Sequence, residues 1–175
     1  MKRILLLLFF TAALSLNLNA QEESNYLEYV QNVDTTIETL YKVISGEKGE
    51  ERNWDLFTYL FHENAKLIPS RPNQNGNSEV SFMTPQQYIN TSGKWLIENG
   101  FYEKEISKKV EVFGAVTHVF STYESFKSKT DTEPFMRGIN SIQLFNDGER
   151  YWILNVFWAS ETESTPIPKK YLKPY

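Results

Sequence analysis

The stretch from Pro134 to Ser160 constrains the fold most, because it has the pattern of two long β-strands joined by the turn Asn146-Asp147-Gly148-Glu149. Asp-Gly between β-branched and aromatic runs favours a hairpin, since glycine adopts a positive φ without steric cost. Strand patterns also cover Phe101 to Phe113 and Val116 to Lys127. The second half of the chain therefore predicts an antiparallel meander.

The first half has the periodicity of helices. Apolar residues recur at spacings of three and four from Asn25 to Ile44, which predicts a helix with one buried face. Thr84-Pro85-Gln86-Gln87 is a capping sequence that predicts the start of a helix ending at Asn99-Gly100. Between them we expect a short helix at 53–62 and a short strand at 65–69. Helices followed by strands predict an α+β domain.

Residues 1–20 have the pattern of a secretory signal peptide. Lys2-Arg3 precedes the apolar run Ile4 to Leu16, and Leu18-Asn19-Ala20 resembles a cleavage site. About 13 apolar residues are fewer than the roughly 20 that span a bilayer, so we expect no membrane span after cleavage. The predicted organisation is a signal peptide at 1–20, one domain at 21–162 and an extended C-terminal tail at 163–175, with export to the periplasm or beyond.

Composition excludes several classes of function. The chain has no cysteine, which excludes disulfides, thiolate chemistry and a lipid anchor on an N-terminal cysteine. Its formal net charge is −4 and it has no basic cluster, so nucleic acid is not an expected partner. No phosphate-binding loop, nucleophile elbow or metal-ligand spacing occurs, and we expect neither a cofactor nor a metal.

Three segments carry a resemblance to a known superfamily. They are Phe61 to Pro69, Val112-Phe113-Gly114 leading into Val116 to Glu124, and Gln143 to Trp158. With the order of the elements, they resemble the nuclear transport factor 2-like superfamily, which includes ketosteroid isomerase, scytalone dehydratase and SnoaL-like polyketide cyclases. The resemblance implies a cystatin-like cone, in which a curved antiparallel sheet wraps around the N-terminal helices, and often a homodimer.

Turn positions predict which residues face each other across the sheet. Two-residue turns at Gly114-Ala115 and Asp147-Gly148 place Lys108 opposite Ser121 and Asn140 opposite Asn155. A tip near Thr130-Asp131 pairs Tyr123 with Gly138 and Glu124 with Arg137, which favours an aromatic side chain over a glycine and an ion pair.

Strand alternation places a polar row on one face of the sheet, and the resemblance implies that this is the concave face, which the helices cover. Two interpretations of this row stay open: its members bond one another and a structural water, or they bind a ligand in a pocket. The predicted ligand-binding residues are this row and two wall residues: Lys108, Ser121, Asn140 and Asn155, with Tyr41 and Tyr123.

The opposite face carries large apolar side chains, and exposed patches of that kind favour association. We therefore predict a homodimer that packs sheet against sheet and covers both sheet faces. The predicted interface residues are Phe120, Trp152, Leu154 and Trp158, with the pair Glu124 and Arg137.

Uniform alternation places no Asp, Glu or His at the concave strand positions. In ketosteroid isomerase the corresponding first strand carries the general base, whereas this chain has Lys66-Leu67-Ile68-Pro69 there. The leading interpretation is an exported domain that binds a small apolar ligand and has no recognisable catalytic set. One alternative is a SnoaL-like lyase, isomerase or cyclase acting on a small apolar carbonyl compound. Another is an envelope protein-interaction module, and whether the chain is an enzyme stays open.

Overall fold

A computed structural model describes residues 26–173. The predicted signal peptide, residues 1–20, lies outside the described residues, and export stays a prediction. No helix within residues 26–173 combines the length and hydropathy that a membrane crossing requires.

The first helices begin at asparagine caps. A 3-10 turn at Leu27–Val30 precedes α1, Val33–Ile44, and the Asn32 side chain accepts a hydrogen bond of 2.9 Å from the Thr35 backbone N–H. The single helix predicted from Asn25 is thus divided, because the extended backbone of a capping residue interrupts helical geometry. Helix α2, Trp54–Tyr59, is capped by Asn53 in the same way.

The predicted capping box at Thr84 is confirmed. The Gln87 N–H donates to the Thr84 hydroxyl at 3.2 Å, and the Thr84 N–H donates to the Gln87 side chain at 2.8 Å. The helix that follows consists of α3, Pro85–Tyr88, a π-helical turn, Ile89–Gly93, and α4, Lys94–Asn99.

Within residues 26–173, six strands form one sheet in the order β2-β1-β6-β5-β4-β3. All neighbouring strands are antiparallel except β1 and β6, so the sheet is mixed and not purely antiparallel as predicted. The α+β class is confirmed. The strand bounds are β1 Phe61–Pro72, β2 Ser78–Val80, β3 Tyr102–Phe113, β4 Val116–Phe126, β5 Met136–Asn146 and β6 Tyr151–Ser160.

The predicted register of the central strands is confirmed. Lys108 lies opposite Ser121, and Tyr123 lies opposite Gly138. Glycine is required at position 138, because a Cβ there would clash with the Tyr123 hydroxyl and with the carbonyl of Ala159.

The predicted register of β5 and β6 is wrong. The turn has four residues, because the Asp147 carboxylate accepts the N–H groups of Glu149 and Arg150 at 2.8 and 2.9 Å. A bulge then leaves Leu154 without a partner, so that Leu144 faces Ile153 but Gln143 faces Asn155. Asn140 consequently lies opposite Trp158 and not opposite Asn155.

A second bulge interrupts β3 at Ile106. Ser107 and the residues after it follow the predicted register, whereas Glu105 lies opposite Tyr123. Because side chains alternate along a strand, the extra residue reverses which side chains of the first half of β3 point inward. Glu103 and Glu105 therefore lie on the side of the sheet that the helices cover.

The core lies between α1 and this inner face of the sheet. Ile37 and Leu40 of α1 and the inner-face residues Val119, Ile142 and Ile153 are all buried. Burying an aliphatic side chain of this size contributes about 1.5–3 kcal/mol, so this layer holds the helices on the sheet.

The C-terminal segment from Thr162 to Lys173 packs against the opposite, outer face. Tyr171 contacts the ring of Phe120 at a centroid distance of 5.0 Å, and the Thr122 hydroxyl donates to the Tyr171 carbonyl at 2.7 Å. The Ser107 hydroxyl donates to the carbonyl of Lys173 at 2.7 Å. The predicted tail is therefore attached to the sheet through residue 173.

Candidate functional site

An apolar cavity of about 170 Å³, here called the inner cavity, lies between the helices and the inner face. Aromatic and aliphatic side chains form most of its wall, among them Phe57, Leu96, Phe101, Val156 and Trp158. The bulge at Leu154 turns the last two of these inward, because it shifts the alternation of β6 by one residue. A concave, mostly apolar cavity with few polar groups is typical of small-molecule sites.

Glu103 is the acidic residue that lines this cavity. Its carboxylate accepts hydrogen bonds of 3.3 Å from the Asn140 amide and from the Ser125 hydroxyl. Burial raises the pKa of Glu103 from its ordinary value of 4.5 to about 7, and the two hydrogen bonds oppose this increase. Near neutral pH, the carboxyl group is thus able both to accept and to donate a proton.

Two phenols share the cavity with Glu103. Tyr88 stacks on Phe57 at a centroid distance of 5.5 Å, and within residues 26–173 its hydroxyl group has no hydrogen-bond partner. Burial raises the pKa of Tyr123 to about 12, and both burial and the nearby Glu103 carboxylate raise that of Tyr88. Both phenols stay protonated at neutral pH and are available as hydrogen-bond donors.

Behind the cavity, the predicted polar row forms a hydrogen-bonded network. The Asn140 amide donates to the Tyr41 hydroxyl at 3.0 Å, and the Tyr41 and Ser121 hydroxyls are 2.7 Å apart. Ser121 donates to Glu105 at 2.5 Å. The Tyr41 hydroxyl therefore accepts from Asn140 and donates to Ser121, while the amide of Asn140 also donates to Glu103. These contacts correspond to the first of the two interpretations, in which the polar residues form hydrogen bonds with one another.

Lys108 closes the network on the solvent side. Its ammonium group lies 3.1 Å from Glu105 and 2.6 Å from Asp34, an exposed residue of α1. Burial lowers the pKa of Lys108, but the two carboxylates outweigh that effect and the net shift is upward. Lys108 therefore stays a cation that holds Glu105 in place, and it does not line the inner cavity.

The predicted ligand-binding residues are thus divided by the structure. Tyr123 and Asn140 line the inner cavity, and Tyr41, Ser121 and Lys108 lie behind it in the network. Asn155 does not join them. It lies opposite Gln143, one residue before the inward-facing Val156, and therefore on the outer side of the sheet.

The interpretation that the concave face lacks carboxylates is wrong, because Glu103 and Glu105 both lie there. Uniform alternation along β3 directs Lys104 and Ile106 inward, whereas the bulge replaces them with the two acids. The sequence of the first half of β3, YEKEIS, could have indicated the bulge, because uniform alternation would bury Lys104 without an acidic partner. Burying an unpaired charge is costly, so that register was disfavoured.

The predicted interface residues also have separate environments. Trp158 lines the inner cavity, and the Trp152 indole N–H donates to Asp147 at 2.6 Å. The predicted ion pair is absent from residues 26–173: Arg137 lies opposite Glu124 but binds Glu161 at 2.8 Å.

The other two predicted interface residues remain on the outer side. Phe120 is covered in part by Tyr171, and the bulged residue Leu154 is 38% exposed. The homodimer itself stays a prediction.

Residues 26–173 contain no group of three His, Asp or Glu side chains placed to hold a metal ion.

No family model and no curated protein sequence matches the chain. Solved structures do match it. One is a protein with a cystatin-like fold from Nostoc punctiforme, at 6% identity and a TM-score of 0.55, covering 73% of this chain and 87% of that one. A second is the β subunit of a protein described as an aromatic-ring-hydroxylating dioxygenase from Novosphingobium aromaticivorans, at 11% identity and a TM-score of 0.55, covering 77% and 94%.

A third matching structure is a protein from Streptomyces avermitilis that is described as a dehydratase of the nuclear transport factor 2-like family. It has 10% identity and a TM-score of 0.53, with 76% of this chain and 96% of that one covered. At such identities the likeness concerns the fold, and function depends on the site. The chain therefore has the cystatin-like α+β fold of nuclear transport factor 2-like proteins, as the sequence motifs predicted.

Proposed function

We propose that the protein binds a small, largely apolar carbonyl compound in the inner cavity. The observation that carries the proposal is the carboxyl group of Glu103 in a mostly apolar cavity of about 170 Å³. An apolar cavity of about 150 Å³ holds a benzene molecule, so the expected ligand has one six-membered ring. The polar groups of Glu103, Tyr88 and Tyr123 would orient its oxygen.

A second candidate function is proton transfer, and the raised pKa of Glu103 favours it. A base is most effective when its pKa lies near the working pH, and a value of about 7 meets that condition. In the proposed reaction, the Glu103 carboxylate removes a proton from the carbon beside a carbonyl and returns it two carbons further along a β,γ-unsaturated ketone. The Tyr88 hydroxyl donates a hydrogen bond to the oxygen on which charge develops.

Binding is tested with cyclohexanone, a neutral single-ring ketone, by titration calorimetry or ligand-observed NMR. Val156→Phe fills the inner cavity and is expected to abolish binding. Ile139→Phe makes a comparable enlargement in a cleft on the outer face and is expected to preserve it. Thermal unfolding of both variants checks that they fold. Equal binding by the wild type and the folded Val156→Phe variant would contradict the assignment to this cavity.

Proton transfer is tested with 3-cyclohexenone, whose isomerisation to the conjugated ketone is followed by ultraviolet absorbance. Glu103→Gln is expected to lower the rate by about 100-fold or more, the usual contribution of a positioned base. The exposed Glu111 on the same strand provides a matched control, and Glu111→Gln should leave the rate unchanged. Cyclohexanone binding without turnover of 3-cyclohexenone would leave the protein as a binder.

A further inference from the structure

Arg71 is a basic residue at the mouth of the inner cavity. In β1 the buried residues Ala65, Leu67 and Pro69 alternate along the inward side, and Arg71 continues this series where the strand leaves the core. Arg71 and Trp95 line the cavity and are also exposed, which marks this end as its opening.

The guanidinium group of Arg71 is available to a ligand. Within residues 26–173 it forms neither an ion pair nor a hydrogen bond, although Glu79 lies directly opposite on β2. Lys108, which lies behind the inner cavity, is by contrast held by two carboxylates. A planar guanidinium group with free donors matches a carboxylate through two parallel hydrogen bonds.

We propose that the natural ligand is a single-ring carboxylic acid, with its ring in the inner cavity and its carboxylate on Arg71. This inference rests on the proposed function and adds the class of ligand. The volume of about 170 Å³ accommodates a ring, and the exposed mouth keeps the ligand anion near water, so that its charge is not fully desolvated. The Glu103 carboxyl group, on the sheet side, faces the ring and the carbonyl oxygen that the proposed function places beside it.

The experiment compares benzoate with benzamide, which has nearly the same shape without the charge. Binding is measured by titration calorimetry at about pH 6, where Glu103 is mostly neutral and repels an anion least. We expect benzoate to bind the wild type about tenfold more tightly than benzamide, the effect of a charge-assisted hydrogen-bond pair.

Two variants test whether Arg71 causes the tighter binding of benzoate. Arg71→Gln is expected to remove the advantage of benzoate and to leave benzamide binding unchanged. Lys66→Gln removes the same charge from the same strand, but position 66 alternates to the outer side, and the advantage should persist. Thermal unfolding confirms that both variants are folded, which is expected because neither residue is fully buried.

Three other results would each contradict a specific part of the proposal. Equal binding of benzoate and benzamide by the wild type overturns the acid preference but leaves the proposed function standing. Loss of the preference in both variants overturns the specific role of Arg71, because it indicates that the summed positive charge of β1 attracts benzoate. Binding of neither probe, nor of cyclohexanone, overturns the proposed function and this inference together.

Discussion

The two faces of the sheet each carry an apolar cleft, but the acidic residue in each has a different environment. On the inner face, Glu103 has an amide and a hydroxyl as partners, and burial raises its pKa. On the outer face, a cleft of about 250 Å³ between the sheet and the C-terminal segment is lined by Glu161. That carboxylate binds Arg137 and the Ile167 N–H, each at 2.8 Å.

The difference separates a candidate site from a packing cleft. Volumes of about 170 Å³ and about 250 Å³ do not favour the inner cavity, so size does not identify the site. A carboxylate bound by a cation and a backbone N–H is already satisfied, whereas a buried carboxyl with neutral partners is poised to exchange a proton. This contrast supports the inner face as the place of the proposed site, whereas the outer cleft lies between the sheet and the attached C-terminal segment.

The largest expected effect concerns packing on the two faces. Ile142→Ala removes a fully buried side chain from the inner face and should lower the free energy of unfolding by about 3 kcal/mol. Phe157, on the outer face, is 43% exposed, and Phe157→Ala should lower it by about 1 kcal/mol. Urea denaturation measures both. Equal losses would show that the outer face is as closely packed as the inner one.

The next effect is the pH dependence that Glu103 produces. Because its folded pKa of about 7 exceeds the ordinary 4.5, the folded state binds more protons between these values. The free energy of unfolding should therefore fall by about 3 kcal/mol as the pH rises from 4.5 through 7, and level off above that range.

Glu103→Gln should remove that fall, and Glu161→Gln on the outer face should preserve it. The measurement is urea denaturation of each protein at a series of pH values. Parallel curves for the wild type and Glu103→Gln would show that the carboxyl group is solvated in the folded protein.

A smaller effect distinguishes two tyrosines. Tyr41→Phe removes the acceptor of the Asn140 amide and the donor to Ser121, and should cost about 1–2 kcal/mol. Tyr171→Phe on the outer side should change the free energy of unfolding by less than about 0.5 kcal/mol, because its contacts with the sheet are made by its ring and its carbonyl. Denaturation of the two variants compares them directly, and a greater cost at Tyr171 would contradict the network.

The smallest expected effect checks the register of β6. Asn155 is predicted by the two-residue turn to share the polar row, but the bulge at Leu154 places it on the outer side. Asn155→Ala should therefore change cyclohexanone affinity by less than about twofold, a difference under about 0.5 kcal/mol. A loss of tenfold or more would favour the register without the bulge.

Much of the fold could be predicted from local sequence. The capping box at Thr84 and the pairing of Tyr123 with Gly138 depend on neighbouring residues or on one turn, and both are confirmed. The parallel pairing of β1 with β6 joins residues about ninety positions apart, and no local pattern specifies it. Of the predicted ligand-binding residues, Tyr123 and Asn140 reach the inner cavity because they lie on strands whose register was correct.

The sequence alone determined the order of the elements, the α+β class and the register of the central strands, since these follow from periodicity and turn chemistry. Only the tertiary structure decided which side chains of β3 and β6 face the cavity. Two extra residues, Ile106 and Leu154, each reverse the alternation of one strand, and together they bring Glu103, Val156 and Trp158 inward. A bulge is stable when it buries apolar side chains and pairs polar ones, and that balance depends on contacts from the whole fold.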